Sequence, residues 1–450
     1  MGGFSTFALS FSIISILTGI LTTFSDALGP GGPRGLGLGW PLVATGTFVV
    51  ALALAELSSA FPTAGALYHW ASLFGGPFPG WLTAQMNLVG QFAIVAAIDF
   101  GFARELGALT GAPPLAIFVV VLGMHAFINA ASTNAVAKLN DLSAIVHIVG
   151  VIAIVGALLA FAEKRPPSFL LDATTTRPDG NTSLGFANGL ILSLFTFTGY
   201  DASAHMAEET KDPARRSPMG ILLAVLVSAV FGYALAATLT LSVKDLAAAQ
   251  ADDHAALHVL RAALGPRGGA LGMGVALVAM WFCGLSSLTS ASRTLYAFAR
   301  DGGVPYSGFV SKVSARMTPV GAIVTAAGTS LVFVLVSSLV HERVFLLAVQ
   351  VATMGLYVSY GLPIALALRE RLAGRLTRRG PFHLGRFSTV VSAVAVVWCI
   401  GVLVVCSLPP NVSAGIVLMT LGAVLTVVWR IRVRRTFKGP KVVLADLERP

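Results

Sequence analysis

The chain has 450 residues, 56% of them hydrophobic and 11% charged, against about 45–50% apolar and about 25% charged in soluble domains. That composition excludes a soluble protein and, at about 20 apolar residues per bilayer-spanning helix, supplies at most about a dozen spans. The net charge of +10 is concentrated in residues 369–386, where six arginines face Glu370, and in residues 430–450, where seven Lys or Arg face Asp446 and Glu448. Basic residues beside apolar spans read as topology signals and contacts to anionic lipid, so no nucleic-acid partner is expected.

Twelve apolar stretches follow one another at residues 4–24, 40–61, 81–102, 114–131, 142–161, 184–205, 220–241, 271–296, 320–340, 345–368, 390–408 and 413–429. The first has no basic residue before it and no small-residue cleavage pattern after it, so it reads as a span and not as a signal peptide. Counting Lys and Arg on alternate sides gives 21 against 9, which by the positive-inside bias places the connections after even-numbered spans, and both termini, in the cytoplasm. Residues 163–182 form an external loop. Residues 243–267 carry Leu246, Leu257, Leu260 and Leu264 at partly helical spacing, which predicts a short amphipathic helix, either a lid over an external vestibule or a helix resting on the membrane surface. Compact loops and the lack of a soluble domain point to one membrane domain in a bacterial inner membrane, ending in a short basic cytoplasmic tail at 430–450.

Cys283, Cys399 and Cys406 lie in apolar runs without metal-type spacing, so neither a disulfide framework nor a zinc site is expected. No His-Glu-x-x-His motif or paired Cys/His set occurs, and His125, His147 and His205 fall on different spans. An integral-membrane enzyme therefore has no machinery to point to, and no metal or cofactor is expected.

Two spans are interrupted by small and polar residues. Span one contains Ser15-Ile16-Leu17-Thr18-Gly19, and span six contains Phe195-Thr196-Phe197-Thr198-Gly199-Tyr200-Asp201, with Gly19 and Gly199 180 residues apart. Irregular backbone at membrane depth is tolerated only inside protein or along a cavity, and paired interruptions in corresponding halves mark a transporter site built from broken helices. Free N–H groups at one break hold an anion and free carbonyls at the other hold a cation, which suits a zwitterion. The alternative is that both glycines serve close helix packing.

The run from Thr198 to Pro213, Thr-Gly-Tyr-Asp-Ala-Ser-Ala-His-Met-Ala-Glu-Glu-Thr-Lys-Asp-Pro, resembles the sixth-span signature of the amino acid–polyamine–organocation (APC) permeases. Residues 292–305 (SRTLYAFARDGGVP) resemble the signature after their eighth span, and residues 56–66 (ELSSAFPTAGA) the end of their second. Residues 10–16 and 200–205 are most similar to the amino acid/choline branch, which includes GABA permease-like proteins. The resemblance implies an all-α membrane protein of LeuT type, with inverted repeats at about 4–161 and 184–368 and two extra helices at about 390–429. It implies transport of an amino acid, GABA, choline or ethanolamine by alternating access. Leu17-Thr18-Gly19 falls where relatives have a Gly-Ser-Gly carboxylate-binding turn, Phe195 near their aromatic gate, and Thr196 to Tyr200 at their unwound turn. Relatives carry a longer basic segment before span one, so the start at Met1-Gly2-Gly3 is expected to be truncated.

The ionisable residues within spans are candidates in their own right. His147 in span five is expected to be a proton-coupling group, because histidine changes charge near neutral pH and some proton-coupled relatives place a lysine at what looks like this position; a neutral histidine bonded between helices is the alternative. Asp201 is expected to contact a substrate ammonium, share in coupling, or bond loose backbone. Glu208 and Glu209, close to Lys211, Arg215 and Arg216, read as a solvated gate or as ion-pairing groups rather than as direct substrate contacts. Asp99 and Arg104 are expected to pair or flank the vestibule. Gln85, Asn87, Gln91, Ser286, Ser287 and Thr289 line the site or bond between helices, and Arg293 and Arg300 read as structural. The expectation is a secondary active transporter, proton-coupled, with an uncoupled facilitator or exchanger as the alternative.

Overall fold

The computed structural model describes residues 2–440 apart from 64, 316, 341 and 342. The described residues are helical throughout, with no strand among them. In chain order the helices are α1 (Gly3–Ile14), α2 (Ile16–Gly37), α3 (Gly39–Ala60), α4 (Ala66–Gly75), α5 (Pro77–Thr110), α6 (Pro114–Ala131), α7 (Thr133–Phe161), α8 (Thr182–Gly189) and α9 (Ile191–Thr196). They continue as α10 (Ala202–His205), α11 (Pro213–Leu241), α12 (Leu246–Ala251), α13 (Ala255–Arg300), α14 (Ser307–Val310), α15 (Val320–Val340), α16 (Val344–Leu372), α17 (Ser388–Val405) and α18 (Val412–Val428).

Eleven stretches are long and apolar enough to cross a membrane, with α1 and α2 counted as one. A further crossing is made by the broken series α8–α9–α10. Its start packs on the end of α2, where Gly189 meets Gly31, and its end bonds to the start of α1, where the Ser203 hydroxyl donates to the Thr6 carbonyl at 2.9 Å. Helix is the structure that satisfies every backbone group internally, which hydrocarbon demands of a spanning segment.

Most helices run past the apolar stretches. The helix α5 continues through Asp99, Arg104 and Glu105 to Gly111, whose φ of +76° closes it, and α7 starts at Thr133 with Ser132 capping the Ala135 N–H at 3.2 Å. The predicted amphipathic segment is present as α12 and the first turns of α13, which a bend at Gly265 (φ +76°) sets off from the rest of α13. It rests on protein, with Leu257 and Leu260 buried and Gln250 bonded to the carbonyls of Leu28 and Thr174. Of the expected tail at 430–450, residues up to Thr436 continue α18 through a π-helical turn, and residues 441–450 lie outside the described residues.

Inner and outer helices separate clearly. The most apolar window of α1–α2 is 94% buried, whereas that of α18 is 17% buried. An apolar helix left uncovered by protein is solvated by lipid tails, so α6, α7, α17 and α18 form the rim and α1–α2, α5, α13 and α16 the centre. Within that centre α5 and α16 touch backbone to backbone: a Cβ on Gly355 would lie 2.9 Å from the Met86 carbonyl oxygen and 3.0 Å from the Gly90 nitrogen. Neither neighbour can yield without bending α5. Gly355→Ala should therefore destabilise the protein by about 1–3 kcal/mol, the usual cost of overpacking, read as a lower Tm in detergent. Gly156→Ala on the exposed face of α7, with open space at its Cβ, should leave Tm unchanged or raise it.

Candidate functional site

The two interrupted spans break side by side. Ser15 separates α1 from α2 in a left-handed conformation (φ +33°, ψ 79°), a strained choice for a residue with a side chain. Its hydroxyl compensates by acting as the cap of α2, accepting from the Thr18 N–H at 3.3 Å and meeting the Thr18 hydroxyl at 2.5 Å. Expected site residues Ile16, Leu17, Thr18 and Gly19 thus lie in the first turn of α2 and not in unwound chain. Gly19 is helical, its N–H bonded to the Ser15 carbonyl at 2.9 Å. Its missing side chain is needed for contact: a Cβ there would lie 2.7 Å from the Thr196 Cβ. The packing role therefore holds for Gly19, and the break belongs to Ser15.

In span six, Phe195 and Thr196 end α9, and Phe197, Thr198, Gly199, Tyr200 and Asp201 form the unwound stretch before α10. Gly199 has φ +82°, a conformation that disfavours any side chain. The Thr198 hydroxyl donates to the Phe195 carbonyl at 2.6 Å, and Phe197 packs on Trp40. All these residues are buried. The halves nearest the N-terminus are tied together: the Ser10 hydroxyl donates to the Tyr200 carbonyl and accepts from the Ser203 N–H, both at 2.9 Å.

Long-range partners fill in what sequence spacing does not show. Tyr360 of α16 accepts the Gly199 N–H at 3.2 Å and donates to Asp201 Oδ1 at 2.8 Å. Asp201 Oδ2 meets His205 Nε2 at 2.9 Å and accepts from Asn87 at 3.4 Å; Asn87 also donates to the Ser359 hydroxyl, and Gln91 donates to Asn87 and Thr294. A cavity of about 10 Å³ lies among Ile13, Gln91, Gly199, Asp201, Ser287 and Leu356. It is about the size of one water molecule.

His147 of α7 faces the first break. Its Nδ1 lies 2.8 Å from the Ser143 carbonyl oxygen, which only accepts, so Nδ1 carries the hydrogen; Nε2, 2.5 Å from the Ser15 hydroxyl, is then the acceptor of the neutral ring. His125 is elsewhere, 3.2 Å from Asp99 Oδ2 and against Trp281, so the three membrane histidines take three different partners. Asp99 does not pair with Arg104: five residues along a helix is not the same face, and Arg104 sits over the Phe345 ring at the rim. Ser286 and Thr289 donate to Asn140 and Asn129 and bond helices together.

Access differs between the two sides. On the side of the basic connections, Tyr68 and His69 of α4 hold the buried Asp301, at 2.7 and 3.3 Å. Arg300 grips Glu208 with two bonds, Arg293 lies 3.9 Å from Glu209, and Arg371 joins Glu56 at 2.8 Å. Glu208 and Glu209 therefore reach α13 rather than the nearer Lys211, Arg215 and Arg216. On the opposite side a cavity of about 760 Å³ opens, lined by Asp26, Arg104, Arg177, Gln250, Asp253 and Arg343 among others. The α12 segment stands at its rim.

At that rim His254 donates to Glu105 at 2.9 Å, and this bond to the carboxylate raises the imidazole above its ordinary value of 6.5, against partial burial. A raised folded pKa contributes stability that is complete below the unfolded pKa and lost as pH rises through the folded one. His254→Gln should therefore lower Tm at about pH 5.5 and lose that deficit at about pH 9, where the wild-type ring is also neutral.

The amino acid permease family model matches residues 1–429. The chain is 35% identical to the amino-acid permease BAT1 of Arabidopsis thaliana, covering 97% of this chain and 92% of that protein. It is 35% identical to the BAT1 homolog of Oryza sativa subsp. japonica, over 97% and 91% of the two chains. With the GABA-specific permease of Saccharomyces cerevisiae it shares 25% identity over 98% and 82%. These relatives are plant and fungal, and lend no support to a bacterial inner membrane. A family match over nearly the whole sequence, on a helical fold with two adjoining broken spans, makes this chain a member of the amino acid permease family of the APC superfamily and a multi-pass amino acid transporter.

Proposed function

We propose that the protein is a secondary active transporter that moves a small amino acid, or a related amine such as GABA, by alternating access, driven by protons. The observation that carries this reading is the meeting of two broken spans at a small cavity, with ion pairs gathered on the basic side and a wide cavity opening on the other. Within the first break, Ser15 to Gly19, the α2 start presents the Ile16 and Leu17 N–H groups to a carboxylate, those of Ser15, Thr18 and Gly19 being bonded within the chain, and Asp201 at the second break offers charge to an ammonium. Phe195 closes over the substrate. Repeats at about 4–161 and 184–368, with each break in the first span of its repeat, rock against each other, and α17 and α18 stand outside. The basic side, with both termini, is cytoplasmic.

His147 supplies the coupling. Its neutral ring accepts the Ser15 hydroxyl hydrogen; a proton on Nε2 turns that nitrogen into a donor, and the hydroxyl must rotate to accept. The bonds that Ser15 makes to Thr18 then change, so a proton is read directly at the hinge between α1 and α2. The test is uptake of labelled GABA, neutral, acidic and basic amino acids, choline and ethanolamine into proteoliposomes, with and without an inward proton gradient. Gradient-stimulated accumulation of one class is expected. Equilibration without accumulation overturns coupling and leaves a facilitator or exchanger.

A further inference from the structure

Asp201 and His205 form a second carboxylate–imidazole unit that the coupling at His147 does not use. They stand one turn apart on the α10 segment, 2.9 Å between Oδ2 and Nε2, both side chains more than nine-tenths buried. Asp201 lines the small cavity, while His205 is followed at once by the exposed Glu208 and Glu209 of the basic side. Facing a carboxylate that also accepts from Tyr360 and Asn87, Nε2 carries a hydrogen, and Nδ1 is a bare acceptor whenever the ring holds only that one. That Nδ1 is buried and has no bonding partner in the protein. An unsatisfied buried acceptor is costly, and the group that would satisfy it is a water, which donates to the lone pair, can deliver a proton to it, and then accepts from the N–H so formed.

The surroundings supply no competing charge at bonding distance. Helix α1 brings hydroxyls to α10, α5 the amides Asn87 and Gln91, and α16 the phenols Tyr357 and Tyr360, with Tyr200 beside them. From α13 come Arg293, turned to Glu209 and Ser292, and the buried thiol Cys283; Arg215 and Arg216 stand at the start of α11, Arg215 toward Asp212.

Resting on the transporter reading above, we propose that Asp201–His205 is a proton-binding pair, separate from His147, through which a proton and the substrate ammonium compete for one carboxylate. The proton comes from water on the basic side, binds the Nδ1 lone pair and leaves by the same route, while Nε2–H stays on Asp201. With His205 neutral, Asp201 carries an uncompensated charge toward the cavity. With His205 protonated, the imidazolium neutralises that charge, and the ammonium is released.

The experiment measures equilibrium binding of tritiated GABA and L-alanine to the full-length protein in detergent at about pH 5.5 and pH 7.5, in wild type and His205→Gln. Glutamine keeps a donor to Asp201 and cannot titrate. The ratio of Kd at the lower pH to Kd at the higher should be at least about fivefold larger in wild type than in the variant, as linkage to one proton over two pH units allows; any contribution of His147 is common to both and cancels. Equal ratios overturn the proposal and leave the transporter reading standing. Wild type that binds neither probe nor any other amino acid or amine of the uptake panel overturns both. If His205→Gln does not purify as a single species, His205→Asn is read in the same way; failure of both to fold assigns His205 a purely structural role and overturns the proposal.

Discussion

Replacing His147 with glutamine should reduce proton-driven accumulation of substrate by at least about tenfold, to the level reached without a gradient. A tenfold change is about 1.4 kcal/mol of coupling, within the range of linked binding sites. The side chain is fully buried, and its only polar neighbours are Ser15 and Ser143, so a proton placed there has one place to act. Glutamine at this position keeps a polar group near Ser15 but never changes from acceptor to donor with pH. If the coupling runs through the Ser15 hydroxyl, Ser15→Ala in the His147→Gln background should add little to the loss, whereas independent roles would make the two losses multiply. The measurement is the ratio of internal to external substrate in proteoliposomes under an imposed inward proton gradient. A His147→Gln protein that still concentrates substrate as wild type does would remove the histidine from the mechanism.

How much of this was legible in the sequence differs from residue to residue. Every predicted span is present as helix, because twenty apolar residues in lipid leave the backbone no alternative to internal hydrogen bonds. Helix ends were not legible: the third apolar stretch stops at residue 102, yet α5 runs on through Arg104 and Glu105 to Thr110, because polar side chains at a helix end reach partners in neighbouring elements without ending it. Gly199 was readable as a break because glycine alone takes φ +82° without strain. Ser15 was not, since a serine among apolar residues resembles any interhelical bonding group. Its signal is the threonine three residues on, the spacing at which a capping side chain reaches a backbone N–H.

Partners were the least legible part of the site. Asn87 and Tyr360 meet Asp201 from positions more than a hundred residues away, Ser359 meets Asn87 across 272 residues, and His147 meets Ser15 across 132. Proximity in sequence suggested Asp99 with Arg104, and an ion-pair or gate role for Glu208 without naming its partner. The folded chain gives Asp99 to His125 instead, and Glu208 to Arg300. The Glu208–Arg300 pair is partly exposed and contributes little to stability, which suits the opening on the basic side that the proposed alternating access requires.

Gly199→Ala should lower uptake by at least about thirtyfold, the second large effect the geometry demands. A side chain at φ +82° costs about 1–2 kcal/mol in backbone strain. The new methyl would also run into Ile13 of α1, with the Ile13 Cβ at 3.2 Å and its Cγ2 closer still, adding about 1–3 kcal/mol of overpacking. Together these reach about 2–5 kcal/mol, and each 1.4 kcal/mol is a factor of ten in the population of the affected state. The strain falls where Asp201 and the Gly199 N–H are held by Tyr360, so the first structure to yield is the unwound turn itself and not the apolar helices around it. The variant should accordingly insert and purify, with loss of transport exceeding loss of Tm. Gly123→Ala on exposed α6, where a Cβ meets nothing within 4 Å, is the matched control and should transport like wild type. Wild-type uptake by Gly199→Ala would show that the turn adapts without cost, and that the broken sixth span does not set the geometry of the site.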